Sequence, residues 1–308
     1  MPQKRKLISF DWAIKRILRS KANFDILEGF LSELLFENIT ILEILESESN
    51  KETRDDKFNR IDIKVKNTND ETILIEIQYD RELDYMQRIL YASSKAIVEH
   101  LKESESYSQV SKIISISILY FDFGNGDDYI YKGTTNFIGL HNKSLLQLNE
   151  KQKELYKTDT VAKIYPEYYL IKIKNFNEIA KEPLDEWIHF LKNEEIGEHP
   201  KAKGLEKAKE TLDYLKMEDK ERIEYNQYQT SLHDQASAYE STYVIGKIEG
   251  KKEGKIEGEK VGIKKGKIEG EKNKAYEIAM KSLQQGLDLD MIKIITGLTD
   301  NEILRLTK

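Results

Sequence analysis

The sequence contains no cysteine, which excludes disulfide bonds and zinc–thiolate centres from this chain of 308 residues. It also lacks an apolar run of about 18 residues, the length that a membrane-spanning helix requires. The longest apolar candidate, residues 111–123, is typical of a buried strand. The basic N-terminal residues lack the apolar segment of a secretory signal. We therefore expect a cytoplasmic protein that does not enter a membrane.

The chain has little net charge for its many charged residues. Charged residues make up 34% of the sequence and hydrophobic residues 39%, which is consistent with a soluble globular protein, and the formal net charge is −6. That charge argues mildly against a protein that coats nucleic acid indiscriminately. It does not exclude a nuclease, because a metal site needs acid locally and only a local basic rim. The frequent use of Lys, Ile, Asn and Glu suggests a bacterial source.

The most informative segment is a pair of strand-like runs between residues 61 and 78, each alternating apolar and polar residues. Asp62 lies in the first run, and Glu76 and Gln78 lie in the second. Turn-forming residues at 67–70 separate the runs and predict an antiparallel hairpin. Such a hairpin can bring the two carboxylates together. Two adjacent acids suit a hard divalent cation, which prefers oxygen ligands and keeps several waters.

An alternative is that Asp62 and Glu76 are ordinary polar residues on a solvated face of the sheet. Two observations weigh against it. Leu74 lies on the same face, so that face is not uniformly polar. Gln78 follows Glu76 in register, where a group that orients water would be placed. These two observations lower the weight of the alternative, which stays open on the hairpin residues alone.

Asp62 and the Glu76-x-Gln78 motif resemble the catalytic core of PD-(D/E)XK nucleases. The neighbouring blocks narrow the resemblance to the Rpn-type family of recombination-promoting nucleases and transposases. In chain order these blocks are DWAIKRIL, FDILEGFLSELL, ILEIL, RIDIKV, IEIQ and MQRILYASS. The similarity extends from about Asp11 to Leu191. It implies an α/β fold with a restriction-endonuclease-like core, in which helices flank a mixed central sheet.

The resemblance also implies roles for the acids. Asp62 and Glu76 would bind Mg²⁺ or Mn²⁺, which polarises a phosphodiester oxygen and lowers the pKa of the attacking water. Gln78 stands where Lys is usual in that superfamily. It can orient a water by hydrogen bonding, but it offers no positive charge to the transition state. Ile61 stands where the superfamily often has proline.

Four more residues are candidates for holding DNA or supporting the site. A helix is predicted over residues 84–101, and Gln87 and Tyr91 share one face of it, like an auxiliary motif of some PD-(D/E)XK nucleases. Arg88 could contact a phosphate. Lys15 resembles part of a D-x-x-x-K element of the family. The alternatives are that Tyr91 packs in the core and that Lys15 lies on a solvated helix face.

The order of predicted elements fits the αβββαβ core of the superfamily. We expect amphipathic helix over residues 7–50. After the helix that carries Gln87, we expect strands at 113–123, 135–142 and 168–176 and a helix at 182–193.

We predict four segments in the chain. Residues 1–195 form the nuclease-like domain, and residues 196–244 form a helical linker. Residues 245–272 form a Lys/Glu-rich helix or spacer, and residues 273–308 form a small helical tail.

Glycine occurs at every fourth position from Gly246 to Gly270. One interpretation is a flexible linker. As a helix, the segment loses about 1 kcal/mol per interior glycine relative to alanine, so a partner would have to compensate. The helix of a second copy could approach over the glycines, and its Lys and Glu rows could pair with the Glu and Lys rows of the first copy. The two helices would then wrap around each other with a right-handed twist. We prefer this interpretation, which makes the protein a homo-oligomer, such as a dimer. The segment also carries a surplus of Lys that could help to hold DNA.

The tail has signals for short helices. Gly286 and Gly297 are candidate C-caps, and Thr299 with Asp300 could cap the last helix. The tail superficially resembles a helix-turn-helix, but its second helix offers little chemistry for reading bases.

Two functions remain open. The first is a metal-dependent DNA endonuclease linked to recombination, mobile elements or defence against foreign DNA. The second is a catalytically quiet module that keeps the fold and binds DNA or other copies. Because clustered acids tend to be lost when they are not needed, we favour the endonuclease.

Overall fold

The structure is a computed structural model that describes residues 7–45, 61–100 and 106–307. Within these ranges the strands form a six-stranded mixed sheet in the order β1-β2-β3-β4-β6-β5. Strands β3, β4 and β6 are parallel to one another, and the other neighbours are antiparallel. The strands are β1 Ile41–Leu45, β2 Ile63–Asn67, β3 Thr72–Gln78, β4 Ile113–Leu119, β5 Ile130–Gly133 and β6 Glu167–Lys172.

Helices precede, interrupt and follow this sheet. The helices are α1 Phe10–Arg16, α2 Phe24–Leu35, α3 Tyr85–His100, α4 Glu150–Tyr156, α5 Pro183–Asn193, α6 Leu205–Thr211, α7 Asp219–Gln284, α8 Leu289–Thr296 and α9 Asp300–Leu304. The run from α2 through β1, β2, β3 and α3 to β4 confirms the predicted αβββαβ order. None of the described helices is long and apolar enough to cross a membrane.

Two predictions about local structure are wrong. Residues 41–45 form β1 rather than helix, because Phe36 ends α2 in a left-handed conformation (φ 56°) and the following chain pairs with β2. A short apolar run does not distinguish a strand from a helix. Residues 46–50, also predicted as helix, lie outside the described residues. The predicted strand at 135–142 is irregular chain with one bridge from Ile138 to Leu145, and β5 forms earlier instead.

One face of the sheet packs on α1, α2 and α5. The odd-numbered apolar residues of the hairpin, such as Ile63 and Ile75, are fully buried in this core. Three aromatic side chains fill the space between the helices: the rings of Phe10 and Phe30 lie 5.4 Å apart, and Trp187 lies 6.0 Å from Phe10. Large aromatic rings packed edge to face contribute strongly to such a core.

The opposite face of the sheet is covered by α3. Tyr85 and Ile89 of this helix pack with Leu119 and Phe121, and further along α3 the buried Ala96 lies in one cluster with Leu74. The polar face of the hairpin is therefore buried against a helix. This outcome contradicts a solvated sheet face and sets the environment of the two acids.

Residues beyond 195 also belong to this core. Leu205 and Ala208 of α6 are buried in it. Gly29 of α2 lies so close to the backbone before α6 that an added Cβ would sit 2.2 Å from the carbonyl oxygen of Lys203. Tyr225, near the start of α7, is fully buried in the same core, and its hydroxyl accepts the Ser9 N–H at 3.1 Å.

The chain divides into two compact units, residues 1–236 and 237–308. The glycine repeat is helical throughout, within α7, and each of its glycines has open space around its Cβ position. In the second unit the tail packs around Ala279 and Ile292. Gly297 caps α8 in a left-handed conformation, and Thr299 caps α9, as predicted.

Candidate active site

The two predicted acids meet at the open end of the β2–β3 hairpin. Ile63 pairs with Ile75, so Asp62, which immediately precedes β2, lies near Glu76, the next residue of β3. The Asp62 N–H donates to the Ile75 carbonyl at 3.0 Å, so the backbone of Asp62 stays attached to β3 although the regular pairing ends at Ile63. The antiparallel register that follows from the period-two pattern thus places the acids on neighbouring strands.

The Asp62 carboxylate is held from two sides. Its Oδ2 accepts the Ile77 backbone N–H at 2.6 Å, and its Oδ1 lies 3.5 Å from Nζ of Lys15. Its side chain is only 13% exposed. Burial raises the pKa of Asp62 above its ordinary value, and the Lys15 ammonium and the Ile77 N–H oppose that rise.

Lys15 reaches this carboxylate from α1 because Asp11, one helical turn earlier, holds its ammonium. Nζ of Lys15 lies 2.8 Å from Oδ1 of Asp11, whose side chain is fully buried. Burial raises the pKa of Asp11 to about 6, and the Lys15 ammonium opposes the shift. The ammonium of Lys15 therefore lies between the carboxylates of Asp11 and Asp62, while its side chain stays 38% exposed.

Glu76 is held by α3. Its Oε1 forms an ion pair with Nη2 of Arg88, and its Oε2 accepts a long hydrogen bond from the Tyr85 hydroxyl at 3.4 Å. Burial raises the pKa of Glu76 to about 7, the Arg88 guanidinium lowers it, and the charge of Asp62 raises it further. Because the negative charge of Asp62 raises the pKa of Glu76, the two acids interact electrostatically.

Gln78 is turned toward the loop that begins α3. Its Nε2 donates to the Asp80 carbonyl at 3.2 Å and to Oε1 of Glu82 at 3.1 Å. Oε2 of Glu82 also accepts a hydrogen bond from Nη1 of Arg88 at 2.6 Å. Arg88 thus joins Glu82 to Glu76 and is engaged by two carboxylates in this structure.

The predicted auxiliary residues lie on the outer side of α3. Gln87 and Tyr91 are both exposed, Tyr91 by 40%. The alternative that Tyr91 packs in the core is therefore wrong. Its predicted role in holding DNA stays a prediction.

The donor set at the hairpin suits a divalent cation. Within the described ranges, no group of three or more His, Cys, Asp or Glu side chains is placed to hold a metal. Asp62 and Glu76 nevertheless offer adjacent carboxylate oxygens, the ligands that Mg²⁺ and Mn²⁺ prefer. Burial outweighs the neighbouring cations at both acids, so their charge is incompletely compensated. The two residues therefore fit such an ion, which would compete with Arg88 for Glu76.

Two residues of the site were not selected from the sequence. Tyr85 donates to Glu76, and Glu82 binds both Gln78 and Arg88. Neither residue gave a signal in the sequence, since their contacts depend on where α3 crosses the sheet. Asp11, which holds Lys15, is the acid of the D-x-x-x-K element, whose spacing of four places both side chains on one helix face.

The mixed sheet, its flanking helices and the acid-bearing hairpin have the α/β fold of PD-(D/E)XK proteins. A family model described as "PD-(D/E)XK nuclease family transposase" matches residues 8–242. The chain therefore belongs to the PD-(D/E)XK nuclease family transposases, as the resemblance predicted. This membership implies a nuclease-like or transposase-like function with DNA as the substrate, and nucleases of this class generally use divalent metal ions. Neither a curated protein nor a solved structure matched the chain.

Proposed function

We propose that the protein is a metal-dependent DNA endonuclease that hydrolyses phosphodiester bonds and acts in recombination, mobile-element movement or defence against foreign DNA. The observation that carries the proposal is the pair of neighbouring acids at the end of the hairpin, of which Glu76 is buried and Asp62 has a side chain only 13% exposed. Burying two interacting carboxylates destabilises a fold. A bound cation would offset this destabilisation, and the negative charge of the two acids would serve to bind it.

Asp62 and Glu76 would hold Mg²⁺ or Mn²⁺, which when bound supplies Lewis-acid polarisation of a phosphodiester oxygen and a more acidic water. Lys15 would supply the positive charge that Gln78 lacks. Its ammonium is already oriented by Asp11 and lies 3.5 Å from Asp62. A fixed cation beside a phosphoryl group that gains negative charge stabilises the transition state.

Gln78 and Arg88 would have supporting roles. The amide of Gln78 binds Glu82, and this bond orients the carboxylate that holds Arg88. Arg88 neutralises Glu76 and would be released when a cation takes that carboxylate. Once released, its guanidinium could bind a DNA phosphate, as predicted from the sequence.

The metal dependence can be measured directly with supercoiled plasmid. We expect nicked or linear DNA in the presence of Mg²⁺ or Mn²⁺ and none in excess EDTA, because the acids alone cannot activate water. Restoring the metal after chelation should restore cleavage. Cleavage that persists in EDTA would contradict the proposal.

The catalytically quiet module is the second candidate, and one observation favours it. Glu76 is paired with Arg88, and Gln78 is engaged by Glu82, so neither side chain is free in this structure. Under this alternative the protein binds plasmid but does not cut it in the presence of either Mg²⁺ or Mn²⁺.

We also propose that the protein self-associates through the glycine repeat. The glycines leave open space on α7, and Glu249 and Lys251 flank Gly250 on opposite sides. When two such helices lie parallel with their glycine rows in contact, each Lys flank faces the Glu flank of the other copy. In an antiparallel pair, like flanks face each other. The charges around Gly250 therefore favour a parallel pair.

Bulky side chains on the glycine row should prevent this association. We expect the triple change Gly250→Gln, Gly254→Gln and Gly258→Gln to lower the mass measured by light scattering to that of a monomer. A matched control places three glutamines on a different row of the helix, at Lys252, Ile256 and Lys260. An unchanged mass in the first variant, or equal loss in both, would remove the proposal.

A further inference from the structure

A cavity of about 430 Å³ lies between α3 and the end of the sheet formed by β5 and β6. Met86 and Leu90 of α3 form one wall, and Tyr168 and Leu170 of β6 lie on the sheet side. Arg88, which contacts Glu76, projects from the opposite flank of α3, because residues two apart on a helix point about 200° apart. The helix thus has the acid site on one flank and this cavity on the other.

Aromatic rings line much of the cavity. Phe123, Tyr131 and Tyr168 all contribute to its walls. The Tyr131 hydroxyl accepts the Asp128 N–H at 3.0 Å, which holds this ring in place. Rings of this kind are the surfaces on which proteins stack unpaired bases, with about 1–3 kcal/mol per base in known cases.

The charge of the cavity is positive. Lys132 and Lys172 line it, and none of the described lining residues is acidic, although the whole chain has a net charge of −6. Nζ of Lys132 is paired with Glu167 at 3.1 Å. Lys172 is different, because no carboxylate pairs with it among the described residues.

Lys172 is only 5% exposed. Its Nζ donates to the Gly126 carbonyl at 3.3 Å and lies 5.6 Å from the centre of the Tyr131 ring. An ammonium with one long carbonyl contact, one ring contact and no carboxylate partner among the described residues has unused hydrogen-bond donors. An anionic group entering the cavity would satisfy these donors.

We propose that this cavity binds a single unpaired nucleotide, with its base against the aromatic rings and its phosphate toward Lys172. The inference rests on the proposed DNA substrate, and it adds a second contact point for that substrate on the far flank of α3. A free nucleotide has the same chemistry as a nucleotide of an unpaired strand. Several classes of enzyme take a base out of its stack and hold it between aromatic and apolar side chains in such a pocket.

The test uses two fluorescent probes in EDTA, so that cleavage plays no part. One probe is a short single-stranded oligonucleotide with 2-aminopurine, and the other is the deoxynucleoside monophosphate of 2-aminopurine. Stacking on an aromatic ring quenches this base, so emission reports its entry into the cavity. We expect Lys172→Met to weaken binding of at least one probe about tenfold or more, whereas Lys174→Met, at an exposed neighbouring position, has no effect.

A second variant tests the cavity independently in case Lys172→Met does not fold. Leu90 is exposed at the cavity wall, so Leu90→Trp should fold and fill part of the space. We expect Leu90→Trp to weaken binding of the same probe that Lys172→Met affects. Loss of oligonucleotide binding identifies a DNA strand as the ligand, and loss of mononucleotide binding alone identifies a free nucleotide.

Unchanged binding of both probes in Lys172→Met and Leu90→Trp would overturn the proposal. Equally strong competition by inorganic phosphate would also overturn it, because the base would then contribute nothing. Plasmid cleavage by a protein whose probe binding does not depend on Lys172 rejects the cavity and leaves the endonuclease. Probe binding that depends on Lys172, in a protein that cleaves no plasmid, supports the cavity and rejects the endonuclease.

Discussion

Replacing Asp62 by Asn should lower Mg²⁺-dependent plasmid cleavage by about three orders of magnitude or more. The amide keeps the size of the side chain, but it removes one of the two negative charges proposed to hold the ion. Lewis-acid catalysis is worth several kcal/mol, and about 1.4 kcal/mol corresponds to a tenfold change in rate. Glu76→Gln should have a similar effect. Initial rates of plasmid nicking across a range of Mg²⁺ concentrations measure both.

Asp70→Asn is the matched control for this experiment. Asp70 lies at the turn of the same hairpin, at the end away from the site, and it has a left-handed backbone (φ 63°) that Asn adopts readily. The control should cleave like the wild type. Direct titration with Mn²⁺, followed by electron paramagnetic resonance, separates lost binding from lost turnover. Full activity of Asp62→Asn would refute the assignment of the metal site.

Lys15→Met should reduce cleavage by about 10²–10³-fold, the range seen when one preorganised group that stabilises transition-state charge is removed. The methionine keeps most of the apolar stem and loses the charge that Gln78 cannot replace. We expect the loss in kcat rather than in KM, because the contact would matter most in the transition state. Single-turnover rates with saturating DNA make this distinction.

Two variants sharpen the interpretation of Lys15. Lys15→Arg should recover part of the activity, since it restores the charge with a different shape. Lys21→Met removes one exposed lysine soon after α1 and should leave the rate unchanged. If Lys15→Met changed only KM, Lys15 would be a DNA contact rather than a group that stabilises the reaction.

The hairpin and its acids were predictable because the determining pattern is local. Period-two alternation fixes which residues share a face, and the turn residues fix the antiparallel pairing. Once Ile63 pairs with Ile75, Asp62 just before that pair and Glu76 just after it come close together. Local pattern and tertiary structure agree at this point.

The surroundings of the acids were not predictable in the same way. The ion pair between Arg88 and Glu76 depends on how α3 crosses the sheet, which no spacing in the sequence encodes. Arg88 was selected for a phosphate and instead contacts two carboxylates. Similarly, β1 has an apolar run that suits either a helix or a strand, and only its pairing with β2 decides between them.

The bond between Asp62 and the Ile77 N–H bears on ion selectivity. One carboxylate oxygen of Asp62 accepts the backbone N–H and the other faces Lys15, while Glu76 shares its oxygens with Tyr85 and Arg88, so each acid would offer a bound ion few unengaged lone pairs. An ion bound there must draw most of its coordination sphere from solvent and DNA. Mg²⁺ tolerates such a sparse protein shell, whereas Ca²⁺ takes about six to eight oxygens and often both oxygens of a carboxylate. If the proposed metal site is correct, we therefore expect Ca²⁺ to support less plasmid cleavage than Mg²⁺.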